Sequence, residues 1–260
     1  MNILGIYQDY LRKVDKEHKK SREKDGIMFH ASTAGSCFRK QIYSLFDFVP
    51  AEFDDRTLRV LRMGTIVHSD IEKALREYIP KEHEVLFIEH GIEIADLNVI
   101  GTLDVAVWDE TTKDLSVYDI KTAANYTWSK HFGRKDNRQK GSNENYKLQL
   151  GTYAFAMQRT LNPSRTSLYL LWYNKNNSSV REQIIMPDWI DNAITYWTEL
   201  NEILDEYSRN DGQLTDMLIP EVDYGVPFQQ WECGYCPYYE QCPSTLADKK
   251  RKPRKRRTKR

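Results

Sequence analysis

Residues 99–121 read VIGTLDVAVWDETTKDLSVYDIK, and the reading of this stretch decides the fold. Val99–Trp108 and Leu115–Lys121 are rich in β-branched and apolar residues, and Asp109–Asp114 between them is turn-rich, which predicts two consecutive strands. Strand side chains alternate between faces, so Asp119 and Lys121 point to one side while Ile120 points to the core. Asp104 is embedded in the preceding apolar strand, three residues after Gly101. Acids placed this way have two readings. One is a half-buried salt bridge between neighbouring strands. The other is a set of two carboxylates and a backbone carbonyl converging on a hard divalent cation such as Mg²⁺. In that second reading the lysine handles a water beside the ion, its pKa depressed by burial and by the cation.

Around this stretch the pattern predicts a compact α/β domain. Ile3, Ile6, Tyr7, Tyr10, Leu11 and Val14 recur at helical spacing over residues 2–22. Residues 30–37 form a small-residue loop of a kind that lets backbone approach a ligand. A second helix is expected over about 57–78, stopped by Pro80. A strand follows at 84–93, ahead of the two already described. Residues 129–145 are polar and read as a mobile loop. The rest reads as a helix at 146–160, strands at 166–173 and 180–186, and a helix over about 188–207. No internal repeat or P-loop is present, so no ATP motor is encoded in this stretch. No apolar run approaches the ~20 residues needed to cross a bilayer. The N-terminus lacks the unbroken apolar centre of a signal peptide. An intracellular, cytoplasmic protein is therefore expected.

Two helices add polar groups at telling spacings. Gly64 and His68 lie one helical turn apart, and the imidazole can add a nitrogen ligand that favours Mn²⁺ as well as Mg²⁺. The glycine permits close helix approach. Gln149 and Tyr153 are spaced i, i+4 and share a face, where both can donate hydrogen bonds. Taken singly, His68 is more often a satisfied surface histidine, and Gln149 with Tyr153 an ordinary helix face.

Taken together and in order, these motifs resemble the RecB-like branch of the PD-(D/E)XK nuclease superfamily. That branch carries a G-x-x-x-H helix, a G-x-x-D strand, a D/E-x-K strand and a Q-x-x-x-Y helix. Here they read Gly64 to His68, Gly101 to Asp104, Asp119 to Lys121 and Gln149 to Tyr153. The resemblance covers roughly residues 30–245 and implies a restriction-endonuclease-like αβββαβ core. It implies that His68, Asp104, Asp119 and the Ile120 carbonyl bind Mg²⁺ or Mn²⁺ and that Lys121 handles the attacking water. Gln149 and Tyr153 would line the site. Asp119 stands where many relatives use Glu, a shorter but accepted alternative. The expected activity is hydrolysis of DNA phosphodiesters at ends, single strands preferred, in phage or bacterial recombination, replication or processing. A helicase or recombinase is the expected partner. The same fold kept as a non-catalytic DNA-binding module is the rival, against which the intact Asp104, Asp119 and Lys121 argue.

Cys233, Cys236 and Cys242 form a C-x₂-C-x₅-C pattern, and Cys37 stands far upstream. In an intracellular protein these are thiolates or metal ligands rather than disulfides. The C-x₂-C pair alone fits zinc and iron–sulfur ligation equally. One cysteine before the core and three after it resembles the four-cysteine exonuclease branch that includes the CRISPR adaptation nuclease and AddB. By that resemblance the quartet holds a structural [4Fe–4S] cluster that staples the segment 219–244 to the N-terminal region; structural zinc is the alternative. The nuclease domain is accordingly expected over residues 1–245.

The formal net charge of +0 conceals an asymmetry. Residues 249–260, KKRKPRKRRTKR, hold ten Lys or Arg and no acid, which leaves 28 basic against 38 acidic residues in residues 1–248. An acidic body with a basic tail points to an anionic polymer as partner, because tail cations displace condensed counterions from phosphates. A solubilising tail is the other reading. Residues 246–260 are expected to be disordered, since such a composition cannot bury an apolar face. Arg39, Lys130, Arg134 and Lys135, interleaved with Tyr126, Trp128, His131 and Phe132, are candidates for contact with a single strand. If every tail cation met a phosphate, deleting residues 249–260 would flatten the salt slope of log K for single-stranded DNA by about 7. Affinity titrations of full-length and truncated protein at several salt concentrations test this. A weaker, flatter binding curve with unchanged turnover at saturating DNA is expected, and parallel lines of equal affinity exclude a role for the tail.

Overall fold

A computed structural model describes residues 1–22, 26, 28–46, 49–78, 80–134, 143–209, 232, 233 and 235–242. Helix α1 spans Ile3–Arg22, followed by a short strand β1 (Phe29–His30), a 3-10 turn (Ala31–Thr33) and helix α2 (Phe38–Leu45). Helix α3 (Asp55–Glu77) precedes the antiparallel strands β2 (Glu84–Ile94), β3 (Val99–Asp109) and β4 (Asp114–Ala123). Helices α4 (Asn125–Phe132) and α5 (Glu144–Leu161) then cross to strands β5 (Arg165–Asn174) and β6 (Val180–Ile185), and α6 (Trp189–Arg209) follows.

The boundaries follow local chemistry. Asp54 caps α3, its side chain accepting from the Thr57 N–H at 2.7 Å. Asn162 ends α5 in the left-handed conformation (φ 49°), immediately before Pro163. Two expectations are corrected. Residues 129–132, expected in a loop, belong to α4, whose Trp128 and Phe132 pack against the core and so offset the weak local propensity. Helix α2 carries no strong periodic signal in eight residues and was not expected, yet it buries Ile42 and Tyr43. The rest of the expected loop, 135–142, lies outside the described residues, as do most of segment 219–244 and all of the tail.

One six-stranded mixed sheet organises the domain, with the path β1-β3-β4-β5-β6 and β2 on the other edge of β3. β4 and β5 run parallel, which requires the long crossover that α4 and α5 supply. Along one edge, β3 pairs first with β1, at Val99 and Ile100, and then with β4, from Val105 onward. Between these two partners lies Gly101–Asp104, the place where the sheet opens.

Helices α5 and α6 close one face of the sheet. Tyr153, Ala154, Met157, Trp197 and Leu200 join Ala106, Val117, Leu168, Leu170 and Trp172 in a single core. The two helices touch through Gly151, where an added Cβ would lie 2.1 Å from the Trp189 carbonyl oxygen. Trp197 Nε1 donates to Thr152 Oγ1 at 2.8 Å beside it. The glycine of α3 is different: a Cβ at Gly64 would make only ordinary contact with Thr122 Oγ1, at 3.5 Å. Gly64 is therefore not demanded by close packing, contrary to the sequence reading. Gly151→Ala should destabilise the fold by about 1–3 kcal/mol through overpacking, whereas Gly64→Ala should leave stability equal or raise it by up to about 1 kcal/mol. Urea denaturation of both variants checks the contrast.

Candidate active site

The site grows out of the interrupted ladder. The last β3–β4 pair is Val105 with Tyr118, so Asp104 and Asp119 occupy the next cross-strand position, on the face covered by α5. There the Asp104 side chain takes over from the ladder: its Oδ2 accepts from the Ile120 N–H at 2.6 Å. The N–H and C=O of a strand residue project toward the same edge, so the Ile120 carbonyl also faces the opening. Gly101 makes room for the arrangement. A Cβ there would lie 2.9 Å from the Ala31 Cβ and 3.3 Å from Tyr153 Cε1.

Four side chains then form a chain of contacts. Lys121 Nζ donates to Asp119 Oδ1 and to Gln149 Oε1, both at 2.9 Å. Gln149 Nε2 donates to the Tyr153 hydroxyl at 2.8 Å. His68 Nδ1 stands 3.7 Å from Asp104 Oδ1. The i, i+4 pair Gln149 and Tyr153 is buried and turned toward the lysine, as its shared face allows. The Tyr146 ring lies against Lys121, with Nζ 4.8 Å from its centroid.

Burial sets the electrostatics. Asp119 is fully buried and its pKa is pushed up, first by loss of water and then by the charge of Asp104, with Lys121 opposing. Burial works the same way on Asp104, but His68, Lys121 and the Ile120 amide outweigh it and hold that carboxyl below its ordinary range. Burial also disfavours the charged forms of Lys121 and His68, yet the two carboxylates prevail and raise both. With no cation beside it, the two acids favour the charged form of Lys121. The Tyr153 phenol is raised by burial and by Asp119.

The donor chemistry fits a divalent cation. Asp119 Oδ2 is buried with no hydrogen-bond partner, although it lies 2.7 Å from the Lys121 ammonium. That ammonium contacts both oxygens of the carboxylate, as a small cation would. In this geometry no group of three His, Cys, Asp or Glu side chains among the described residues is closed to cation-holding spacing.

Two acids that the sequence reading did not single out border the site. Glu89 on β2 and Glu72 on α3 are hydrogen-bond neighbours, and burial followed by Glu72 raises the Glu89 carboxyl. Glu72 is legible, one turn beyond His68. Glu89 is not, because only the register of β2 on β3 sets it across from Asp104.

The candidate DNA contacts divide. Arg39 is 3% exposed and engages the Tyr43 hydroxyl, so it presents no cation to a phosphate; that expectation is corrected. Lys130 lies over the exposed Tyr126 ring, 4.5 Å from its centroid, and Arg134 is exposed nearby. Trp128, His131 and Phe132 instead pack among themselves and with Trp172, within a buried-edge aromatic cluster. Lys135 lies outside the described residues.

The cysteines converge away from the strand site. Glu232 accepts from the Cys37 N–H at 3.2 Å, and Tyr43 packs edge-on against Tyr238, with centroids 5.7 Å apart. The Ala51 N–H donates to the Pro237 carbonyl at 2.8 Å. These contacts hold residues 232–242 on the N-terminal region. No disulfide joins the four cysteines. Burial pushes the Cys37 thiol up to about 12, opposed by the Lys40 amide, with Glu232 and Cys236 adding to the rise. Burial, then Cys236 and Cys242, push Cys233 up to about 11.

The sequence profile of the PD-(D/E)XK nuclease superfamily matches residues 6–243. The chain belongs to the PD-(D/E)XK nuclease superfamily. The match begins at residue 6, so the family region takes in α1, which the motif reading had placed outside it. The crystal structure of SSO0001 shares the fold, with a TM-score of 0.52, 17% identity, and coverage of 92% of this chain and 97% of that one. A candidate exonuclease from Eubacterium rectale aligns over 59% of this chain and 56% of its own, at 15% identity and a TM-score of 0.31. No curated protein matches the sequence. Membership in the PD-(D/E)XK superfamily implies a metal-dependent nuclease. Among the described residues no helix is long and apolar enough to cross a membrane.

Proposed function

We propose that this PD-(D/E)XK nuclease is an exonuclease that trims DNA from free ends, with single strands preferred. The observation that carries its chemistry is the meeting of Asp104, Asp119 and Lys121 where β3 parts from β4. His68, Asp104, Asp119 and the Ile120 carbonyl would hold Mg²⁺ or Mn²⁺. When bound, the cation polarises the scissile phosphate and lowers the pKa of a water ligand. Lys121 would orient the attacking water and stabilise charge developing on the phosphoryl oxygens. Gln149 fixes the lysine through its Oε1, and Tyr153 fixes Gln149. Lys130, Arg134 and Lys135 meet the strand's phosphates, Tyr126 offers a stacking face, and the basic tail offsets the acidic body. The role is DNA recombination, replication or processing in a bacterial or phage-infected cytoplasm, beside a helicase or recombinase.

The decisive measurement incubates the protein with end-labelled linear and circular DNA, with and without Mg²⁺ or Mn²⁺. Linear DNA should be shortened from its ends and circles left intact. Lys121→Ala, Asp119→Ala and Asp104→Ala should each lose at least about 10²–10³-fold in cleavage, with the folded circular dichroism spectrum kept at low temperature and a lower melting temperature, because each strands a buried partner. Wild-type rates in Lys121→Ala overturn the assignment.

The four cysteines are proposed to ligate a structural [4Fe–4S] cluster, within a nuclease domain of residues 1–245. What supports this is their approach from two distant segments: buried thiols whose negative forms raise one another are a donor set that a cationic centre would relieve. Protein made under low oxygen should be brown and hold about four irons per chain, and Cys233→Ala should be colourless and less stable. Colourless wild-type protein with one zinc per chain overturns the cluster.

A further inference from the structure

Three groups close around the end of the Lys121 side chain. Asp119 Oδ1 and Gln149 Oε1 each accept from Nζ at 2.9 Å. The third is the Tyr146 ring, whose centroid lies 4.8 Å from Nζ. A lysine head carries three donors on a flexible four-carbon stem, and water competes for all of them. A ring face at this distance attracts the cation and keeps water from that side. The contact is well shielded, since the lysine side chain is only 15% exposed.

The ring is itself held in place. Tyr146, Gln149 and Tyr153 fall at i, i+3 and i+7 on α5, one row of a single helix face. The Tyr146 N–H donates to the Asn143 carbonyl at 3.1 Å in the first turn. Its ring packs edge-on against the buried Trp172, with centroids 5.7 Å apart. Trp172 Nε1 donates in turn to Gln183 Oε1 at 3.0 Å, which also accepts from Asn143 Nδ2 at 3.2 Å. The hydroxyl has no such part. Among the described residues no hydrogen bond reaches it, whereas the Tyr153 hydroxyl accepts from Gln149 Nε2. Tyr146 thus offers the site its ring face and not its phenol.

We propose that Tyr146 is a positioning residue for Lys121: its ring, fixed by Trp172, walls one side of Nζ and leaves the donor not spent on Asp119 or Gln149 to the open mouth of the site. The proposal rests on the proposed role of Lys121 toward the attacking water, and it names what keeps the lysine in that role.

The test is steady-state cleavage of end-labelled linear DNA by the full-length protein with Mg²⁺, at a temperature where circular dichroism shows every variant folded. Tyr146→Leu keeps apolar bulk against Trp172 and removes the ring. It should lower kcat about 5–30-fold, the rate equivalent of one shielded cation–ring contact. KM should stay within about twofold of wild type, because the lost interaction belongs to the reaction step and not to DNA binding. Mn²⁺ affinity, followed by electron paramagnetic resonance, should be unchanged, and Tyr146→Phe should recover most of the lost kcat. Tyr146→Phe as slow as Tyr146→Leu overturns the proposal, because the hydroxyl would then be the working part. A raised KM with unchanged kcat overturns it too, since the ring would be touching DNA. So does a loss of kcat accompanied by a loss of Mn²⁺ affinity, which marks a merely structural ring. Wild-type kinetics in Tyr146→Leu, with Lys121→Ala inactive, sinks Tyr146 alone. Wild-type rates in Lys121→Ala sink the role of the lysine and this proposal together.

Discussion

Everything at the active end of this nuclease depends on one substitution of a side chain for backbone. Where β3 leaves β4, the Ile120 amide would lose its ladder partner inside the protein. The Asp104 carboxylate supplies that partner, at 2.6 Å. An unpaired buried amide costs about 1–3 kcal/mol, so the bond is a structural necessity as well as a device for placing an acid. Once made, it locks Asp104 to β4, sets Asp119 beside it and turns the Ile120 carbonyl into the same opening.

The burial that follows explains the rest of the site. Asp119 has no access to water, so it requires a cation, and Lys121 provides one. Removing one partner of such a buried pair typically costs about 3–5 kcal/mol, because the other charge is left stranded. Gln149 then accepts from the lysine and Tyr153 closes the chain, each buried polar group consuming the next. The site is therefore preorganised from the core outward. α5 can take part only because Gly101 lets Tyr153 approach the strand and Gly151 lets the back of the helix rest on α6.

The cysteine region follows a different logic. It is built from two pieces nearly 200 residues apart, joined by Glu232 to the Cys37 amide and by Tyr43 to Tyr238. Among the described residues its apolar cluster, Tyr43 with Tyr238 and Cys242, is small and separate from the main core. Among the described residues these contacts anchor it to the N-terminal region. Arg39, drawn into this region against Tyr43, is lost to DNA for the same reason.

The sequence by itself determined the strands around Asp104, Asp119 and Lys121, because alternation of apolar and polar residues is a local property that survives into the fold. It likewise determined the helical pairing of Gln149 with Tyr153, and the order of motifs that marks the superfamily. Helices α2 and α4 escaped it, since short helices are held by tertiary packing rather than by propensity. Only the tertiary structure decided that Arg39 is buried, that Gly151 rather than Gly64 is the glycine packing demands, and that Lys121 sits against Asp119 and Gln149. It alone set Glu89 across from Asp104, between the pairs Ile88–Val105 and His90–Leu103. Such a placement depends on how two strands are registered across the sheet, and no residue within one strand records its neighbour's position.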